Sequence, residues 1–172
     1  TTMTHEDTED ILELQNIDKA YSAILGQDLV SYEDENLTVM LYGLTEDYIN
    51  IDASEIAEGR FFTQQDDNSL SQVAVLGSAV KEDLFGDRDA LGRRVKIGRQ
   101  KYEVIGVMEE RGVALFFNPD EMVYLPLQTL QKRVMGIDHI QMILATMIDP
   151  ERDLETKAEI ESILRDNHDI TD

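Results

Sequence analysis

The sequence contains no cysteine. Structural disulfides, cysteine zinc sites and thiol nucleophiles are therefore excluded. A chain without thiols suits an extracytoplasmic setting, and many cytosolic domains also lack cysteine. No apolar run approaches the roughly 18 residues of a membrane span. The longest candidate, Met142 to Ile148, is interrupted by Thr146 and reads as a buried strand. No stretch reads as a signal peptide. The opening Thr1-Thr2-Met3 is what an excised soluble domain would look like. Internal repeats and low-complexity linkers are also missing.

Bases are scarce. Against 36 acidic residues stand 15 basic ones, a net charge of −21. Residues 1–60 hold 15 acids and 2 bases, so the first third carries most of the excess. Such a surface repels phosphate backbones and excludes nucleic acid as a partner. It equally disfavours anionic lipid headgroups. The acidic third is either a solvated face or a docking surface for a basic partner.

What is present is enough for a globular fold. A chain of 172 residues suits one domain or two small lobes. Burying roughly 70% of its unfolded surface, it needs neither disulfide nor metal. Thr4 with Asp7 three residues later forms a capping-box pattern, and Ile11, Leu14 and Ile17 follow at helical spacing, predicting a helix over 5–15. Residues 19–32 and 37–43 read as strands joined by a loop, Glu33-Asp34-Glu35-Asn36. Gly59 permits a turn, Phe61-Phe62 is an apolar anchor, and Asp66-Asp67-Asn68 has loop chemistry. Residues 91–110 make a hairpin about Gly98-Arg99-Gln100, with Val95 and Ile97 alternating with charge and Tyr102, Val104 and Ile105 returning. Residues 121–134 read as strand, proline break and short helix. Pro150 suits the first turn of a last helix with Leu154, Ala158, Ile160, Ile163 and Leu164 on one side.

The stretch VAVLGSAVKEDLFG, residues 73–86, has the outline of an active site: an apolar strand, Gly77-Ser78, then a helix faced by Val80, Leu84 and Phe85 and stopped by Gly86. A hydrolase elbow needs Gly-x-Ser-x-Gly. Here Gly77 directly precedes Ser78 and no second glycine follows. Dinucleotide and phosphate loops need glycine patterns that are also missing. The reading is a backbone turn at Gly77 with Ser78 as the helix N-cap.

His5, His139 and His168 lack a metal partner at ligand spacing. His168 is expected to complement a helix dipole. Asp66-Asp67-Asn68 lacks the spacing and the bidentate glutamate of a calcium loop. The seven methionines are scattered and read mostly as core filler. Arg93, Arg94, Lys96, Arg99 and Lys101 form a basic patch that either balances nearby acids or receives an acidic partner.

Taken in order, GRFFTQQD (59–66), QVAVLGSAVKEDLFGDRDALGRRVKIGRQKYEVIGVMEE (72–110) and VYLPLQTLQKRVMG (123–136) closely resemble the extracytoplasmic core domain of MacB-type, FtsX-like ABC transporter permeases. Arg165 and His168 complete the pattern in the C-terminal helix, and the resemblance runs from about Thr4 to Asp172. It implies an α+β fold: a porter-like α/β lobe formed by residues 1–55 and 123–172, with a β-rich, sabre-like lobe, 56–122, inserted between. It implies no catalytic residue, metal or cofactor. The implied partners are the parent permease's transmembrane helices and ABC ATPase, a second permease protomer, and a periplasmic adaptor (membrane fusion protein) or other extracellular partner. Members usually continue beyond this point with an aromatic residue and a further strand, whereas this sequence stops at Ile170-Thr171-Asp172.

The implied function is non-catalytic transmission of ATP-driven motion during export, from the outer face of the cytoplasmic membrane. Within the family the alternative is an FtsX-like or lipoprotein-releasing permease domain that regulates an extracellular partner. Outside it stand a small secreted hydrolase using Ser78 and a solute-binding module.

Overall fold

A computed structural model describes residues 3–52, 54–112 and 118–168. Its first helix, α1 (His5–Leu12), opens with the expected capping box: Asp7 Oδ2 accepts from the Thr4 N–H at 2.9 Å. It ends short of residue 15, and Leu14 falls in the turn into the first strand. β1 (Ile17–Tyr32) and β2 (Glu35–Leu44) then form a long antiparallel hairpin. The turn is tighter than the expected loop. Only Glu33-Asp34 are unpaired, with Glu33 at φ 52°, and Glu35 already pairs with Tyr32.

After α2 (Tyr48–Ile51) and β3 (Ile56–Gly59) comes α3 (Gln64–Asn68), where a loop was expected. The reason is a second capping box. Thr63 receives the Asp66 N–H, and Asp66 Oδ2 accepts from the Thr63 N–H at 2.9 Å, which turns Asp66-Asp67-Asn68 into helix. β4 (Val73–Leu76), α4 (Ser78–Phe85), β5 (Arg94–Ile97) and β6 (Gln100–Met108) follow as read, with the β5–β6 turn at Gly98-Arg99. β7 (Met122–Pro126) runs into α5 (Leu127–Thr129), which continues as a wide turn over Leu130–Met135. β8 (Met142–Met147) and α6 (Asp153–Asn167) complete the described chain; Ile170-Thr171-Asp172 lie outside it.

Six strands close on themselves. β1 pairs with β2, β2 with β7, β7 with β4, β4 with β6, β6 with β5, and β5 returns to β1 at Val30 and Ser31. β8 extends the lower half of β1, and β3 lies against β6. Side chains alternate along the strands, apart from a bulge in β6 between Val104 and Gly106, so one residue set faces into the ring and the next faces out. Ile24, Leu41, Leu76, Val95, Tyr102 and Leu125 share the interior, with Leu84 and Phe85 of α4 and Leu130 packed against them. The other set, including Tyr21, Tyr42, Tyr48, Phe61, Phe62 and Tyr124, forms a second cluster. The molecule is thus a mixed α/β fold built on a multi-strand sheet.

α6 departs from expectation. Leu154 is 83% exposed and Ala158 is also exposed; the inward positions are Thr156, Ile160, Ile163 and Leu164. The methionines largely follow expectation: Met108 and Met122 are buried, Met3, Met135 and Met142 pack half-buried against the core, and Met40 is exposed.

Candidate functional site

The Gly77-Ser78 turn is built by close backbone approach. The Gly77 N–H donates to the Met122 carbonyl at 2.8 Å, and a Cβ on Gly77 would lie 2.4 Å from the Asp120 carbonyl oxygen. No other residue fits. Gly77, not Ser78, is the N-cap of α4, so Ser78 is the first helical residue and caps nothing. The expected N-cap is therefore corrected. Ser78 lines a shallow open depression with Ala57, Glu58, Lys81 and the 107–110 segment. Among the described residues, no histidine or carboxylate is hydrogen-bonded to it.

A serine that the sequence reading passed over does meet a histidine. His5 Nδ1 and Ser22 Oγ lie 2.6 Å apart, and His5 Nε2 is 3.7 Å from Glu9 Oε1. Ser22 is fully buried and also shares a 2.7 Å hydrogen bond with Thr8 Oγ1. With no surface open to a substrate, the trio ties α1 to β1 instead of forming a nucleophile.

The best-organised polar groups join the two chain ends. Asn16, in the turn before β1, spans the gap to Asp149, just after β8, and to α6. Its Nδ2 donates to Thr156 Oγ1 at 2.8 Å and to the Asp149 carbonyl at 3.0 Å; its Oδ1 accepts from the Asp149 N–H at 2.8 Å. Every polar atom of the amide is used inside the protein. A second tie lies one helix away. Buried Asp7 accepts from Asn167 Nδ2 at 2.8 Å and meets His168 Nε2 at 2.8 Å. Burial pushes the Asp7 carboxyl up, but the hydrogen bonds from Asn167, the Thr4 N–H and His168, with the His168 charge, outweigh it and hold the acid below its ordinary value. His168 thus partners α1 as well as sitting at the end of its own helix. His139 offers its backbone carbonyl to Gln131 Nε2.

A tyrosine cluster forms part of the second core. The Tyr48 ring centroid lies 5.3 Å from that of Tyr21, 5.8 Å from that of Tyr42 and 6.0 Å from that of Tyr124. Tyr48 shares a hydrogen bond of 3.2 Å with Ser54, which also accepts from Arg111 Nη1, itself 2.9 Å from Asp52. Burial pushes the Tyr48 phenol up to about 12 and the Tyr21 and Tyr124 phenols higher still. These are packed, protonated phenols.

Arg93, Arg94, Lys96, Arg99 and Lys101 are all exposed on the β5–β6 hairpin. Arg94 faces Glu103 across the ladder, but Lys96 faces Lys101. Among the described residues, no three histidine or acidic side chains converge as a metal site, and no helix is long and apolar enough to cross a membrane.

A family model described as "MacB-like periplasmic core domain" matches residues 1–163. Two relatives bear the name "Macrolide export ATP-binding/permease protein MacB". The one from Chlorobaculum tepidum is 30% identical over 98% of this chain and 26% of its own length. The one from Wolinella succinogenes is 31% identical over 97% of this chain and 26% of its own. The chain thus spans about a quarter of the curated relatives it matches. Among solved structures, the extracellular domain of the ABC-type transporter YknZ from Gram-positive bacteria superposes with a TM-score of 0.87 at 23% identity, covering 99% of this chain and 86% of that one. The periplasmic region of MacB from Actinobacillus actinomycetemcomitans gives 0.85 at 20% identity, covering 96% and 74%.

Proposed function

The chain belongs to the family of MacB-like periplasmic core domains, and from that premise we propose that it is the non-catalytic, extracytoplasmic domain of an ABC transporter permease. It receives ATP-driven displacement through its two ends and passes it as a rigid body to an adaptor or to the exported substrate. The ATPase, the membrane helices and a second protomer belong to the assembly in which it works.

The observation that carries this reading is the clasp at the chain ends. Asn16 and Asp7 bind α1 and the turn before β1 to Asp149 and α6 with charged and fully used hydrogen bonds. Any pull on either end is shared at once by both. From there β1 runs without interruption into the ring, whose packed interior resists deformation. On this reading residues 1–55 and 123–172 are the porter-like lobe and 56–122 the sabre-like one. The pairings β4–β7 and β5–β1 make them move together.

The test is made in the full-length permease. Asn16→Ala loosens the clasp without touching any ATP-binding part. Export is expected to fall while ATP hydrolysis persists. Export unchanged in a folded Asn16→Ala protein would refute the lever. So would loss of an intrinsic hydrolytic activity on Ser78→Ala.

A further inference from the structure

One strand edge is left open. β2 pairs with β1 along its whole length, but with β7 only from Met40 onward. Among the described residues, nothing pairs with the other edge of Asn36–Val39. The direction of its peptide groups follows from β1. The Leu25 N–H reaches Gln141 Oε1, and the Leu29 carbonyl receives the Gly98 N–H, so odd-numbered residues of β1 point away from β2. The even ones bond to odd-numbered partners on β2. The N–H and C=O of Asn36 and Thr38 therefore face the vacant side.

That side is a groove, not bulk solvent. Between the open edge and α4 lies a cleft of about 570 Å³, lined by Leu25, Gln27, Thr38, Met40, Val80 and Asp83 among others. Met40 is 40% exposed, and Leu29, 48% exposed, extends the apolar stripe along the same face of the hairpin. Edge strands are normally guarded by lysine, proline or a bulge. Asn36-Leu37-Thr38-Val39 has none of these and holds a regular register. Charge selects the visitor. Among the described residues, the charged groups on the cleft wall are Asp83 and Glu121, with no lysine or arginine, on a chain of net charge −21. A second copy would bring the same acids and be repelled.

We propose that the groove between β2 and α4 receives an extended, cationic polypeptide segment, added as a strand alongside Asn36–Val39. Four residues of added strand span roughly 13 Å. Alternate apolar side chains enter the cleft beside Met40 and Val80, and basic ones meet Asp83 and Glu121. The inference rests on the groove's own geometry and is independent of the transport reading.

The experiment uses this chain and a synthetic peptide of about nine residues alternating valine with lysine. A twin carries N-methyl groups on alternate amides, keeping charge and apolar area but unable to complete a ladder. A third peptide has glutamate for lysine. Backbone amide spectra follow binding. The expected result is shifts centred on Asn36, Thr38 and Met40, with the first peptide binding about tenfold tighter than its twin and the glutamate peptide not binding. Thr38→Pro, which spares the β1 ladder, abolishes the difference between the first two while leaving the melting temperature unchanged. Equal binding of peptide and twin, or shifts spread over the acidic surface, would overturn strand addition. Equal binding of the glutamate peptide would overturn the charge assignment.

Discussion

Asn16 and Thr156, 140 positions apart in the chain, are joined by a 2.8 Å hydrogen bond between two side chains with almost no exposed surface. Removing one partner of such a pair leaves the other buried without compensation. Asn16→Ala orphans the Thr156 hydroxyl and both peptide groups of Asp149, and is expected to cost about 3 kcal/mol. Thr156→Val leaves Asn16 its two bonds to Asp149 and should cost about 1 kcal/mol. Urea unfolding of the two variants gives the order, and a reversed order would refute the account of the clasp.

At the β4–α4 turn the two adjacent residues should behave oppositely. Gly77→Ala drives a methyl group into the Asp120 carbonyl at 2.4 Å and must displace backbone, costing about 3 kcal/mol. Ser78→Ala removes a hydroxyl that caps nothing and should fall within about 0.5 kcal/mol of the parent. Thermal melts of both variants decide the point.

Acid should loosen the joint of α1 and α6 through Asp7. Its folded value lies below the 3.8 of the free acid, so the charged form is the one stabilised by folding. That contribution is fully present above the unfolded value and is lost as pH falls through the folded one. Asp66, whose carboxyl is pushed up by burial but pulled further down by the Thr63 N–H and Arg60, adds a contribution of the same sign. Asp7→Asn is expected to destabilise at neutral pH and to match the parent once Asp7 is protonated. Urea midpoints across the acid range measure the convergence.

Base should act on the tyrosine cluster with the opposite sense. Folded phenols raised above the ordinary value favour the neutral form; their stabilisation holds below the unfolded value near 10 and fades as pH climbs through the folded ones. In a near-ultraviolet titration, Tyr48 is expected to ionise at about 12, and Tyr21 and Tyr124 only as the protein unfolds.

Tyr102 holds the one buried side-chain polar atom among the described residues without a hydrogen-bond partner, inside the ring. Deleting an unsatisfied hydroxyl removes a desolvation penalty and little else. Tyr102→Phe should be neutral or stabilise by up to about 1 kcal/mol, read as an equal or higher urea midpoint.

Local chemistry was legible in the sequence. The Thr4–Asp7 capping box, the alternation of Val95 and Ile97, the Gly98-Arg99 turn and the Pro150 start of the last helical segment each depend on residues a few positions apart. α3 was missed because the Thr63–Asp66 box sits in a stretch whose composition suits a loop equally well. Ring closure was not legible, since the pairing of Val30 with Ile97, or of Leu41 with Val123, leaves no mark on either segment alone. The same holds for the clasp. Asn16 and Thr156 carry no motif, and the inward face of α6 was legible at Ile160, Ile163 and Leu164 but not at its start, where Leu154 looks like the anchor and Thr156 is. The order of glycines and aromatics over residues 59–136 identified the family even though no single pair of residues did.

β1 serves in turn as neighbour to β8, β2 and β5 along 16 consecutive residues. Past the irregularity between Ile17 and Lys19, a tug on its N-terminal end would therefore be met as shear along a spar. Under increasing load such a body would sooner shed β8, held along one edge, than spring its hoop. The weakest seam would then lie beside the pulled end, and the far rim, with its basic hairpin, would keep its shape to the last.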